Sequence, residues 1–339
     1  VIRVSVVGAA GYSGAEGVRI LARHPRVALA GLFGSAGGTG AAFSDLHPAL
    51  VGLSGPDVVP YSEAALLAAA PDAVILATPN EVSAELTPKL LAAGVRVIDV
   101  SGAFRLREPA LYPAWYGFDH PAPALLGEAV YGLTEWCGDE LAGARLVANP
   151  GCYPTSVLLA LKPLAPLFAT GQPVLVTSAS GVSGAGRKAD VAYSFCEVAG
   201  SYRAYAAGTH RHEPEMRQEL GLSTGAAFTF VPHLLPVARG ILSTIHVSFE
   251  APVTNGEVAG RFAAAYEGRP FVKVHPAGRL PELKDVVGTP RAHVGWALLA
   301  GGRRAIVVSA IDNLLKGAAS QAVQNLNRVF GIPETEGLL

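Results

Sequence analysis

Cysteine is scarce. The 339 residues hold three, Cys137, Cys152 and Cys196, too few and too scattered for a disulfide framework and without the paired spacing of a zinc ribbon. A reducing, cytoplasmic setting is the expectation. Charge of one sign is also lacking: 26 Lys and Arg stand against 27 Asp and Glu, a formal net charge of −1. Such a chain has no global field to draw in nucleic acid or an anionic membrane surface. No apolar run approaches the roughly 18 residues of a membrane span. The opening VIRVSVVGAAG has no basic start and no cleavage site, so it reads as a strand rather than a signal peptide. There is no repeat at solenoid periods and no low-complexity tract. With half of the residues hydrophobic, a compact soluble globule of two domains acting on a small molecule is expected.

Short continuous apolar runs recur through the first 150 residues. Val1 to Val7 leads into glycines and then AEGVRILARH, whose apolar residues fall at helical spacing and end before Pro25. Val27 to Phe33, DAVILAT and VRVIDVS repeat the pattern of strands buried on both faces. This alternation predicts a Rossmann-type, doubly wound parallel sheet over residues 1–151. Beyond Cys152 the strands PVLVTSAS, AAFTFVPHLL and ILSTIHVSFE crowd closer together. An α+β catalytic domain with a mixed or antiparallel sheet is expected over 152–312. RRAIVVSAIDN then leads into a helical stretch, LLKGAASQAVQNLNRVF, and residues 313–339 are expected to pack back on the first domain.

Gly8, Gly11 and Gly14 form G-x-x-G-x-x-G between a strand and a helix. Such a loop permits a tight turn and close approach to a pyrophosphate, with free amides at the helix start. An NAD-specific site usually carries an acid at the end of the second strand. Here that place reads FGSAGGTG. Without a carboxylate a 2'-phosphate is not repelled, and Ser35 with the glycine amides can receive it, so NADP is preferred although the loop has no Arg or Lys. In ATPNEVS, Thr78 and Pro79 end a strand; a plain turn would suffice, but in this topology strand ends line the cofactor crevice.

A lone cysteine is most often a small buried hydrophobe. Cys152 stands instead in ANPGCYPTSVLLAL, after a Pro-Gly turn and with Pro154 suited to a first helical turn. A helix start favours a thiolate and offers amides to an oxyanion. Cys137 and Cys196 lack that setting and are read as structural. A nucleophilic thiol joined to a nicotinamide site points to acyl transfer to sulfur coupled to hydride transfer.

In GTHRHEPEM, His210 and His212 lie two apart before a helix start. In extended backbone that spacing puts both rings on one face. One imidazole would move a proton, oriented by Glu215 or Glu213; two satisfied surface histidines is the plainer reading. His212 is favoured because it lies nearer the helix. No third ligand is evident, so no metal is expected. Arg105 is either an anion clamp or a surface arginine. Arg187 and Lys188 lie in a glycine-rich loop that suits a phosphate as well as it suits solvent.

GAAGYSGAEGVRIL, HPAL, DVSGAFRL, NPGCYPTS, SGVSGAGRK, GTHRHEPEM, PHLLPVARGIL and AIDNLLKGAASQAVQNLN, in this order, closely resemble the N-acetyl-gamma-glutamyl-phosphate reductases of arginine biosynthesis. The resemblance covers nearly the whole chain. It implies a catalytic domain like those of glyceraldehyde-3-phosphate and aspartate-semialdehyde dehydrogenases, with Cys152 as nucleophile and His210 or His212 as acid/base. It also implies NADP contacts from Tyr12, Ser13, Ser183, Gly184 and Asn313, substrate contacts from Arg105, Asn149, Tyr153 and Arg187, and a homodimer or homotetramer. GCYPT favours the arginine enzyme over the related lysine-pathway reductase, which takes a carrier-bound substrate. One departure stands out: Ala103 occupies a place that is usually acidic in that family, so a contact there is absent or replaced. The competing readings are another semialdehyde dehydrogenase, acting on aspartate or carrier-bound aminoadipate semialdehyde, and a dinucleotide-binding redox sensor.

Overall fold

A computed structural model describes every residue except 188 and 224. It divides into two compact units, one of Val1–Gly151 with Ala318–Leu339, the other of Cys152–Gly317. The first holds seven strands: β1 (Ile2–Val7), β2 (Val27–Phe33), β3 (Val58–Val59), β4 (Ala73–Leu76), β5 (Arg96–Asp99), β6 (Val130–Tyr131) and β7 (Leu146–Ala148). Their order is β3-β2-β1-β4-β5-β7-β6, and every neighbouring pair is parallel. The strands are apolar on both faces because helices cover both. Val74, Leu76, Val97 and Leu146 join Phe33, Leu90 and Tyr112 in one buried cluster.

The order reverses between β1 and β4, whose carboxyl ends are Val7 and Leu76. Open parallel sheets bind ligands at such a switch. The first unit is completed by the helix Ser320–Val329, which packs against the helix Tyr12–Leu21. Its buried amides supply much of the attachment. Gln321 and Asn325 donate to the Gly132 carbonyl, and His24 bonds Asn327 at 3.0 Å.

The second unit contains β8 (Val174–Gly181), β9 (Arg203–Ala204), β10 (Phe228–Leu235), β11 (Ile241–Ser248), β12 (Val272–Val274), β13 (Ala292–Leu299) and β14 (Arg304–Ile311). Its sheet runs β12-β13-β14-β11-β8-β10-β9 with both parallel and antiparallel pairs. The parallel and mixed sheets are those expected. The return to the first unit comes at Ala318 rather than at 313. Residues 313–317 stay with the second unit because Asn313 accepts from the Gly240 amide, Asp312 accepts from the Leu314 and Leu315 amides, and Gly317 donates to the Asp312 carbonyl. The stretch LLKGAASQAVQNLNRVF is also not one regular helix, since Leu315–Ala319 forms a π-helical turn before Ser320.

Candidate active site

Gly8 takes φ +89°, where a side chain is strained, and a Cβ on it would stand 2.2 Å from the Ala77 carbonyl oxygen. A Cβ on Gly14 would stand 2.2 Å from the Gly8 oxygen. These two glycines are therefore required by close backbone packing. Gly11 differs. Its Cβ would meet only the Gly8 oxygen at 3.4 Å, so the loop is open there. Gly11 also begins the helix Tyr12–Leu21 without any side-chain cap, which leaves helix-start amides to an anion. An open cradle and an uncapped helix start fit the phosphates of a dinucleotide. Tyr12 and Ser35 are exposed and Ser13 half-buried beside these turns, and no carboxylate follows β2 before Asp45. Thr78 shares a 2.7 Å hydrogen bond with Ser83, and Pro79 is the N-cap of the helix Asn80–Ala92.

Three residues expected to touch substrate have hydrogen-bond partners within the chain. Arg105 is buried, donating from Nε to the Asn149 carbonyl (2.8 Å) and from Nη2 to the Val100 carbonyl (2.7 Å). It is not a surface residue, and these bonds splay its fork over the backbone. Asn149 is fully buried; its amide donates to the Ala318 carbonyl and its side-chain oxygen accepts from Asn325. That makes it a tie within the first unit. Tyr153 is buried too, with its hydroxyl 2.9 Å from that of Tyr205. Ala103 is fully buried, so a carboxylate placed there would have to be desolvated. The nearby Asp99 carboxyl accepts from the Ser101 hydroxyl and amide, and burial raises its pKa.

Cys152 opens the helix Cys152–Leu161. Every residue of that helix after the cysteine is buried, as a helix apolar on all sides must be. A serine network fixes it to the sheet: Ser156 lies 2.8 Å from the Ser243 hydroxyl and donates to Ser309, and Ser178 lies 2.7 Å from Ser243. The thiol-bearing residue is itself part-exposed. At Gly317 an added Cβ would come within 2.8 Å of the Cys152 Cβ. No side-chain rotation relieves that clash. Gly317→Ala should therefore lower kcat by about 10²-fold through misplacement of the cysteine and cost about 1–3 kcal/mol of stability. Steady-state kinetics with thermal unfolding checks this; a kcat within threefold of the parent would refute it.

The two histidines meet in a turn, not in the extended backbone expected. His212 is the N-cap of the helix Glu213–Glu219 with φ −84° and ψ −10°, and its amide donates to His210 Nδ1 at 3.2 Å. The ring centroids lie 4.8 Å apart. The Tyr153 ring stands edge-on to His210 and His212, at 5.4 and 6.0 Å. Tyr205 and Phe230 close on His210 from other sides. Burial, helped by the Arg211 charge, lowers the His210 pKa to about 4. Burial also pushes the phenol of Tyr205 up to about 12 and that of Tyr153 higher still, and the Cys152 charge adds to both shifts. Cysteine, tyrosines and histidines thus share one electrostatic neighbourhood. Glu213 bonds Arg217 at 3.1 Å, which leaves Glu215, fully buried, as the carboxylate considered for orientation.

Tyr205 and Phe230 are members that the sequence did not single out. Tyr205, the second tyrosine of SYRAYAAG, carries no signal of its own, because its partner Tyr153 lies 52 positions away. Asn313 bonds the Ser183 hydroxyl (2.9 Å), and Gly184 adjoins it, so three residues expected at the cofactor are brought together. Arg187 is exposed; Lys188 lies outside the described residues. No described helix is long and apolar enough to cross a membrane.

Family models described as the NAD binding domain and the dimerisation domain of semialdehyde dehydrogenase match residues 3–144 and 152–313. The N-acetyl-gamma-glutamyl-phosphate reductase of Halorhodospira halophila is 47% identical over 347 residues, covering 99% of this chain and 98% of that one. The Escherichia coli protein of the same name is 46% identical over 338 residues, with 98% of both chains covered. Aspartate semialdehyde dehydrogenase II of Vibrio cholerae superposes with a TM-score of 0.70 over 96% of this chain and 97% of its own, at 19% identity, a likeness of fold alone. With relatives this similar over almost their whole length and a cysteine-led helix beside a paired histidine turn, the chain belongs to the N-acetyl-gamma-glutamyl-phosphate reductase family.

Proposed function

We propose that the chain reduces N-acetyl-L-glutamyl 5-phosphate to N-acetyl-L-glutamate 5-semialdehyde and phosphate, with NADPH as reductant and Cys152 as covalent nucleophile. The observation that carries this reading is Cys152 at the start of a buried helix, within the electrostatic reach of Tyr153 and Tyr205, whose rings stand against the histidines. The sulfur adds to the acyl-phosphate carbon, the carbonyl oxygen becomes an oxyanion, and phosphate leaves with the electron pair of the broken C–O bond. A helix start has amides aimed at such an oxygen. The product is a thioester, more readily reduced than a carboxylate.

The nicotinamide cofactor, when bound by the Gly8–Gly14 loop, Thr78 and Pro79, supplies the hydride that reduces this thioester. Afterwards the C–S bond breaks and the thiolate departs with its electrons. Two histidines then have distinct duties. His210 accepts the His212 amide at Nδ1 and is held neutral, so its one proton sits on Nε2 and is offered to an oxygen. As the thiohemiacetal collapses to aldehyde and thiolate its hydroxyl proton must leave, and its acceptance falls to His212, beside the acidic first turn that contains Glu215. Ser183, Gly184 and Asn313 are proposed at the nicotinamide, and Arg187 at an anionic group of the substrate. The chain is proposed to work in the cytoplasm as a homo-oligomer, built through the unit that matches a dimerisation domain.

The decisive assay runs the reaction backwards: NADP-dependent oxidation of N-acetylglutamate semialdehyde that requires phosphate, alongside aspartate semialdehyde. Preference for aspartate semialdehyde would move the chain to the other activity, and binding without turnover would favour the redox sensor. The acid-free loop at Ser35 predicts a higher kcat/KM with NADPH than with NADH. Ser35→Asp should shift that ratio toward NADH by about tenfold or more through repulsion of the 2'-phosphate. A parent enzyme that prefers NADH would overturn the reading of the loop.

A further inference from the structure

Away from the cysteine, His275, Asp285 and His293 gather in the second unit with one ligand atom from each, all within 4.8 Å of one another. His275 follows β12, and its amide donates to the Val294 carbonyl of β13 at 2.8 Å. His293 stands beside that residue on β13. Asp285 closes the short helical turn Leu283–Asp285, where one of its oxygens accepts the Glu282 amide at 3.0 Å. Three separate backbone segments thus fix the three side chains. His275 is 3% exposed.

We propose that these three residues bind a divalent transition metal of the zinc class. The separation of the ring nitrogens supports it. His275 Nε2 lies 3.3 Å from His293 Nδ1, and two nitrogens each about 2.0–2.1 Å from a tetrahedral ion stand about 3.3 Å apart. Two imidazoles with one carboxylate suit zinc, cobalt or nickel and disfavour calcium and magnesium, which take mainly oxygen. Binding needs no net loss of protons from neutral rings: each keeps its one proton on the other nitrogen, Nδ1 of His275 and Nε2 of His293. The buried Nδ1 of His275 has no hydrogen-bond partner among the described residues. The missing outer acceptor costs about 10–100-fold in affinity, so half-saturation at about micromolar rather than nanomolar metal is expected.

The ion would brace the turn to the sheet edge. That turn supports residues already placed near the site: Leu283 packs where Gly240 has no side chain, Gly240 donates to Asn313, and the Gly288 amide donates to Asp312. A structural effect is therefore expected, separate from the covalent chemistry.

The test uses full-length Cys152→Ala protein, to exclude metal capture by the reactive thiol, stripped with chelator and titrated with cobalt(II). One equivalent per chain should bind, with visible ligand-field absorption of a tetrahedral site, and zinc should displace it and raise the unfolding temperature by about 5 °C at a hundredfold excess over Kd. His293→Asn, a half-buried change, and His275→Asn should each weaken binding at least 30-fold. His293→Asn in an otherwise unaltered chain should leave kcat within twofold. Absence of cobalt uptake, or uptake unaltered in both variants, would overturn the site and leave a plain hydrogen bond between two imidazoles; either result is independent of the reductase assay.

Discussion

Replacing Cys152 with alanine should lower turnover by about 10⁴-fold or more while NADPH still quenches intrinsic fluorescence with near-parental affinity. The cofactor loop belongs to the first unit, whereas the side chain removed begins the second. A methyl group cannot carry an acyl group, so no thioester forms and no reducible carbonyl is presented. Cys152→Ser should fall nearly as far, because an alcohol at neutral pH is a far weaker nucleophile than a thiolate. The parental protein mixed with acyl phosphate in the absence of NADPH should gain the mass of one N-acetylglutamyl group, and the variants none. Turnover by Cys152→Ala within tenfold of the parent would end the covalent mechanism.

Loss of the proton acceptor should rank next. His212→Asn is expected to lower kcat by about 10²- to 10⁴-fold, whereas His210→Asn, which removes an oxygen-binding donor, should raise KM first. The pH dependence separates the two. With its pKa lowered to about 4, His210 is neutral throughout the range in which the enzyme would be assayed. An acid limb of kcat/KM above pH 5 must therefore belong to another group. His212→Asn should abolish that limb and His210→Asn should preserve it. The opposite pattern would exchange the two assignments. The lowered pKa also has a stability sign: below pH 6.5 the unfolded chain takes up this proton first, so stability falls as pH drops toward 4.

Much of the architecture could be read from local pattern. β2 covers Val27–Phe33 and the cysteine does start a helix, because short apolar runs, glycine turns and a proline in a first turn are local causes. What escaped was non-local. Asn149 and Tyr153 flank the cysteine in sequence, yet partners 176 and 52 positions away, Asn325 and Tyr205, consume their polar groups. Spacing alone suggested extended backbone for His210 and His212, whereas Pro214 at the start of the helix and the N-cap of His212 make it a turn. The His275, Asp285 and His293 cluster has no motif spacing. Only the pairing of β12 with β13 assembles its imidazoles.

The buried amides of the closing helix have a consequence for synthesis on the ribosome. Gln321, Asn325 and Asn327 complete hydrogen bonds to Gly132, Asn149 and His24, so the amino-terminal sheet emerges first but lacks part of its own interior. The whole of residues 152–317 must be translated before that part arrives, a wait on the order of ten seconds or more at ~5–20 residues per second. During that interval the nascent chain carries Asn149 and Thr134 without the partners they will have in the native state. A ribosome stalled before residue 318 should therefore display an amino-terminal unit that proteases cut readily, and release of the last residues should close it.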